Sequence, residues 1–176
     1  MTNTLEASCI LVAVGRDKPG LANTVAAFVR TCGCTIDDAE METLRAYFAV
    51  LLRFCGSAQA VERVKKESRE WGDNQGLDIR LYEDLPAYTP PPDALPYELR
   101  VDAIERIGII DDLTRALPGY GVNIQKLDSR IMETAMTGAP RYELNATLQI
   151  PASKLDNVRE TLDVLGLDYL LTPRRS

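Results

Sequence analysis

The chain of 176 residues contains no histidine, and no other absence excludes as much. No other unperturbed side chain changes charge near neutral pH, so Ser-His and Cys-His catalysis, phosphohistidine intermediates and imidazole metal ligation are closed to it. Positive charge is also short: 20 Lys and Arg stand against 26 Asp and Glu, a formal charge of −6, with no stretch that gathers the cations into a patch. Such a field repels phosphate backbones and argues against direct nucleic-acid binding. No window approaches the roughly 18 apolar residues of a membrane span, and Met1 to Ser8 lacks the basic and apolar pattern of a secretory leader. A cytoplasmic chain is expected. Cysteine is scarce, with Cys9, Cys32, Cys34 and Cys55 all in the first part of the chain. Cys32-Gly33-Cys34 has no second ligand pair at metal-binding spacing, so the four thiols read as small buried hydrophobes rather than a disulfide scaffold, metal site or redox switch.

What is present is enough to fold: 45% of residues are hydrophobic and 26% charged, a balance that supports a packed core. The chain also repeats itself. Gly20 and Gly108, Gly33 and Gly121, and Ile36 and Ile124 are each 88 residues apart. Gly76-Leu77-Asp78 recurs as Gly166-Leu167-Asp168, and each half carries 10 basic and 13 acidic residues. Between the copies runs the proline-rich segment 86–96, a semi-rigid spacer because successive prolines donate to no helix or ladder. The expected division is a first domain over 1–85 and a second over 97–176.

Each copy reads in the same order. An apolar or alternating strand (residues 8–15; Tyr97, Leu99, Val101) leads to a helix. The helix stripes are Leu21, Val25, Phe28, Val29 and Cys32 in one copy and Ile110, Leu113, Leu117 and Tyr120 in the other. Gly33 and Gly121 end those helices in the left-handed cap. Two strands follow, clearest where Tyr142, Leu144, Ala146, Leu148 and Ile150 alternate with polar residues. The matching run Tyr47 to Leu52 is apolar on both faces, which suggests that this strand is the more covered of the two. A second helix and a short strand close each copy. The order βαββαβ, twice, defines an α+β chain of two ferredoxin-like units, each a four-stranded antiparallel sheet with two helices on one face. Units of this size are small for an independent core, so packing against other units is expected.

The most specific local feature is Gly15-Arg16-Asp17-Lys18-Pro19-Gly20-Leu21. Pro19 suits a first helical turn, Asp17 a cap, and Gly20 a close backbone approach by a ligand or another chain. The amides of a helix start favour an anion; a well-made turn with no ligand accounts for the same residues. The pairs Asp37-Asp38 and Asp111-Asp112 read as structural: adjacent strand carboxylates point to opposite faces, and Asp111 and Asp112 oppose a helix dipole. The segment Glu133 to Ala139, with Met132 and Met136 nearby, is longer than a tight hairpin needs and suits a partner contact.

The strand, the Asp17-x-Pro-Gly20-Leu21 turn, the apolar helix, the small residues before Ile36 and the apolar strand at Phe48 to Leu52 resemble an ACT domain, a module that senses amino acids. The second copy keeps Gly121-Val122-Asn123-Ile124. The tandem arrangement, the linker, and Met136-Thr137-Gly138-Ala139-Pro140 before a strand ending Gln149-Ile150-Pro151 resemble the glycine cleavage system transcriptional repressor family.

That resemblance implies a non-enzymatic regulator with no cofactor. It would bind an amino acid such as glycine at an interface between ACT units, as a homodimer, and act through a protein partner, a LysR-type transcriptional activator. The implied effector residues are Asp17, Lys18, Pro19, Gly20 and Leu21, with Thr35 and Ile36, in the first copy. In the second they are Glu105, Arg106 and Gly108, with Asn123 and Ile124. Thr35 stands where the second copy has Asn123, and the second loop lacks the proline. A complete motif therefore needs the first loop with Asn123, and one asymmetric site is expected. An acylphosphatase-type enzyme using Arg16, and a ligand-free dimerisation module, remain as alternatives on the same scaffold.

Overall fold

Eight strands and four α-helices are seen in a computed structural model that describes residues 7–104, 108–133 and 140–174. The chain divides into two compact units, Met1–Ala87 and Tyr88–Ser176. The first runs β1 (Ala7–Arg16), α1 (Leu21–Thr31), β2 (Thr35–Leu44), β3 (Tyr47–Gly56), α2 (Ala58–Gln75) and β4 (Leu77–Glu83). The second runs β5 (Ala94–Ile104), α3 (Ile109–Ala116), β6 (Asn123–Glu133), β7 (Pro140–Pro151), α4 (Leu155–Val164) and β8 (Asp168–Pro173). Their sheets are ordered β2-β3-β1-β4 and β6-β7-β5-β8, antiparallel throughout. This is the ferredoxin-like order, made twice.

In each unit one sheet face packs on the helices. Leu11 and Ala13 of β1 and Val50, Leu52 and Phe54 of β3 bury against Leu21, Val25 and Val29 of α1 and Val61 and Val64 of α2. Phe28 and Trp71 join the two helices as a stacked pair, ring centroids 4.2 Å apart. The second core sets Leu99, Leu144, Leu148 and Ile150 against Ile109, Leu113, Leu117, Val158 and Leu162. Burial of each such side chain contributes about 1.5–3 kcal/mol. Gly33 and Gly121 hold the expected left-handed conformation, at φ 90° and 71°.

The structure departs from the sequence reading in four places. The α3 stripe is Ile109, Leu113 and Leu117; Ile110 is 40% exposed, because the helix starts at Ile109 and spacing of four carries its buried face from there. The run Tyr47 to Leu52 is not the more covered strand: Phe48, Val50 and Leu52 are buried but Tyr47 and Leu51 are exposed, and β7 is the more buried of the two because its outward residues are partly covered as well. β5 begins at Ala94, inside the proline-rich segment. Pro96 lies one residue before β5 begins to pair with β8, so its missing N–H breaks no ladder on that side, and its carbonyl accepts from the Arg174 amide at 2.9 Å. Finally, β2 and β6 each carry a bulge, between Ile36 and Asp38 and between Ile124 and Lys126. The first interrupts strict alternation at Asp37, whose carboxylate pairs with Arg53.

Candidate functional site

The β1–α1 loop is built by a turn rather than by a cap. Gly20 has φ 87° and ψ 0°, and the Leu21 amide donates to the Lys18 carbonyl at 3.3 Å. This is a type II turn, with proline at its second position and glycine at its third, where a positive φ is required. Pro19 therefore precedes the helix instead of opening it. No side chain caps α1, so Asp17 does not fill the role its sequence position suggested; its own amide is tied to the Ala46 carbonyl at 2.9 Å. Lys18 is also engaged, its ammonium donating to the Gln75 carbonyl at 3.2 Å. An added Cβ at Gly20 meets nothing within 4 Å, which leaves this stretch of backbone open.

The second unit reproduces the turn residue. Gly108 sits at φ 92° and ψ 6° ahead of α3, again with no side-chain cap. The two starts differ in charge: α1 has no acid in its first turn, while α3 has Asp111 and Asp112, as expected for a helix that satisfies its own dipole. Asp111 in turn pairs with Arg115. By contrast α2, remote from both loops in sequence, is capped in the ordinary way, with the Ala60 amide donating to Ser57 Oγ at 3.2 Å.

An open concavity of about 540 Å³ lies at the α3 start, lined by Gly108, Ile109, Ile110, Asp111, Thr114 and Tyr142. The Tyr142 hydroxyl is buried there without a hydrogen-bond partner among the described residues. Tyr142 was invisible to sequence reasoning as a site residue because it falls in the core-facing phase of β7; only the orphaned hydroxyl marks it. A second concavity, about 460 Å³, runs between α1 and α2 over Phe28 and Trp71, with Asn23, Thr24 and Glu67 on its rim. Cys32 lies along it, its thiol 3.9 Å from a Glu67 oxygen. Burial pushes the Cys32 and Cys34 thiols above their ordinary range, and the Glu67 carboxylate adds to this at Cys32. Neutral thiols are poor nucleophiles and poor ligands, and no metal-holding group of acids and cysteines occurs among the described residues.

Within each unit the implied site residues are not brought together. Thr35 pairs with Cys55, which pairs with Ser8, whereas the loop follows Arg16 at the other end of β1. From Ser8 to Gly15 the strand advances about 23 Å. Asn123 likewise pairs with Gln149, which pairs with Pro96, opposite the Gly108 end of β5. Ile36 and Ile124 pack against their cores. Glu105 and Arg106, and the Glu133 to Ala139 segment from residue 134 onward with Met136, lie outside the described residues. Among the described residues no helix is long and apolar enough to cross a membrane.

Residues 8–82 match the ACT domain family model, so the first unit is an ACT domain and the second repeats its fold. The chain is 26% identical over 153 residues to the glycine cleavage system transcriptional repressor of Escherichia coli (strain K12), covering 87% of this chain and 80% of the relative. The Shigella flexneri repressor matches to the same extent. Among crystal structures, an unknown protein from Galdieria sulphuraria superposes with a TM-score of 0.82 at 18% identity, over 97% of this chain and 99% of that one. A protein provisionally named as a glycine cleavage system transcriptional repressor gives 0.73 at 19%, over 98% and 99%. The first unit thus matches the ACT domain family, and over most of its length the chain is similar to the glycine cleavage system transcriptional repressor.

Proposed function

We propose that this protein is a non-enzymatic sensor of a small amino acid, with glycine the first candidate, and that it passes the signal to a protein partner that controls transcription of glycine cleavage. The observation that carries this reading is the start of α1. Its first turn is free of side-chain caps and acids, and it follows an open glycine backbone. Main-chain amides at such a start attract a carboxylate. The start of α3 has the same backbone but already holds Asp111 and Asp112, which repel a second anion. One carboxylate site per chain, at Gly20 and Leu21, is the consequence.

Lys18 anchors the loop; Thr35, Ile36, Asn123 and Ile124 lie at the far ends of their own sheets and would join the site only from another ACT unit. Signalling follows by linkage: an effector that binds one conformation more tightly shifts the population toward it, and a partner that distinguishes the conformations reads the shift. A LysR-type activator is the partner class that the sequence resemblance implies. A thermal-shift screen of the amino acids tests the sensing step. Ligand at about 100 times its Kd stabilises the folded state by about 2.7 kcal/mol, enough for a clear rise in Tm. No shift with any amino acid at millimolar concentration overturns the reading.

A further inference from the structure

On the face turned away from their helices the two sheets differ in both polarity and charge. In the second unit that face is polar and satisfied internally: Arg141 binds Asp102 at 2.7 Å, Arg130 binds Glu143 at 2.8 Å and Asn145 donates to Asp128 at 3.2 Å. In the first unit its centre is an apolar strip, with Ile10, Val12 and Val14 of β1 beside Ala49 and Leu51 of β3. Leu51 is 49% exposed and Val14 41%. Register sets Glu98, Arg100, Asp102, Glu143 and Asn145 at the corresponding places of the second sheet, so the fold does not require the strip. Residues paired in register share a face, and β2 lines one side of the strip with Asp38, Glu40 and Glu42. All three are exposed and enter no ion pair among the described residues. Their counterparts 88 residues on, Lys126, Asp128 and Arg130, alternate in sign. The other side of the strip, β4, mixes Asp78, Arg80 and Tyr82.

We propose that this face docks an amphipathic helix of another protein, apolar along one stripe and basic along one flank. An exposed apolar strip marks an interaction surface, and the one-sided row of acids selects its occupant. It repels a phosphate backbone or an anionic lipid surface and attracts a row of Lys or Arg. The spacings agree. Alternate residues of a strand lie about 6.8 Å apart and residues i and i+4 of a helix about 6 Å, so three cations one turn apart run alongside Asp38, Glu40 and Glu42 while the apolar stripe lies on Leu51 and Val12. From Ile10 to Val14 the strip is about 14 Å long, which a helix of about three turns covers. Such a contact buries on the order of 1,000 Å² in total, the size of a transient complex. The proposal rests on the functional reading above only in supposing a protein partner; it adds the surface and the partner's chemistry.

Two labelled synthetic helices of about 18 residues, titrated against the full chain without amino acid and followed by fluorescence anisotropy, test the proposal. One carries a leucine stripe with lysines at i, i+4 and i+8 along one flank; its twin has glutamates in that row. The lysine helix is expected to bind with micromolar affinity, at least about tenfold more tightly than the twin. Glu40→Lys combined with Glu42→Lys is expected to reverse that preference. Glu62→Lys combined with Glu70→Lys, at exposed sites on α2, changes the net charge equally and is expected to leave the preference within about twofold. Leu51→Asn, which brings in the side chain that the second sheet has at that place, is expected to weaken binding of the lysine helix at least about fivefold. Far-UV circular dichroism checks that the variants fold; should Leu51→Asn unfold, Val12→Thr serves in its place. A wild type that takes up neither helix, no preference between them, a preference that the β2 and α2 variants shift alike, or binding indifferent to a folded Leu51 or Val12 variant overturns the proposal. So does a chain that takes up no helix and sediments as a dimer split by Leu51→Asn, since a second copy then fills this face. An amino-acid thermal shift without helix binding overturns this proposal alone, and helix binding without any thermal shift overturns only the sensing step.

Discussion

The Lys18 ammonium donates to the Gln75 main-chain carbonyl at 3.2 Å, across 57 residues of sequence. Gln75 is the last residue of α2, so the lysine closes a helix C-terminus, where a cation is favoured. It ties the β1–α1 loop to the end of the second helix.

Lys18→Ala is accordingly expected to lower stability by about 0.5 kcal/mol, the size of an exposed helix-terminus charge interaction. Urea unfolding measures it. The affinity for an amino acid that binds at Gly20 and Leu21 is expected to stay within about twofold, a difference under 0.5 kcal/mol.

Gly15 lies where β1 passes the α2–β4 turn. A Cβ built on it falls 2.5 Å from the Gly76 carbonyl oxygen and 2.7 Å from a Leu77 methyl. The first of these atoms is backbone and yields only if the turn moves. Gly15→Ala is expected to cost about 2 kcal/mol or more, as overpacking does. Gly119→Ala, whose Cβ meets nothing within 4 Å, is expected to stay within about 0.5 kcal/mol. Denaturant midpoints of the two variants make the comparison.

Much of this architecture was legible in the sequence, for physical reasons that also explain the rest. The polar and apolar alternation from Tyr142 to Ile150 states both the strand and its buried face, and the spacing of 88 residues transfers that reading to the weaker copy. Leu51 misled because an apolar residue at a strand position reports burial only if something covers it. Asp17 misled because capping chemistry and turn chemistry use the same residue types, and Pro19-Gly20 decides for the turn through a positive φ. Bulges at Asp37 and Gln125 leave no periodic trace, since each inserts one residue into an otherwise regular strand. The separation of Thr35 and Asn123 from the loops is a matter of register, which a linear motif does not carry.

Asp84 joins Ser8 and Arg53, accepting from Ser8 Oγ at 2.6 Å and from Arg53 Nε at 2.8 Å. The serine hydrogen bond, and then the arginine, hold its carboxyl below the ordinary value of 3.8. A carboxyl depressed on folding adds stability above its unfolded pKa and loses it as pH falls through the folded value. The contribution is therefore intact at neutral pH and fades below about pH 4. Asp84→Asn is expected to lower stability at pH 7 and to flatten the acid limb of Tm against pH, followed by calorimetry.

The Tyr142 hydroxyl is buried and has no hydrogen-bond partner among the described residues, a state that costs about 1–3 kcal/mol relative to a group left in water. Tyr142→Phe is expected to leave the ligand-free protein unchanged or to stabilise it by about 1 kcal/mol. A thermal melt of the two proteins decides the sign.

The central claim is that the charge at two like helix starts sets one effector site per chain. Asn23 occupies in α1 the place that Asp111 occupies in α3, 88 residues on. Calorimetric titration of glycine, or of whichever amino acid gives the largest thermal shift, into the wild type and Asn23→Asp tests it most directly. The account predicts one amino acid per wild-type chain, and an affinity about tenfold weaker or more when the aspartate takes over the helix start. Two equivalent sites per chain, or binding that Asn23→Asp leaves untouched, would contradict it.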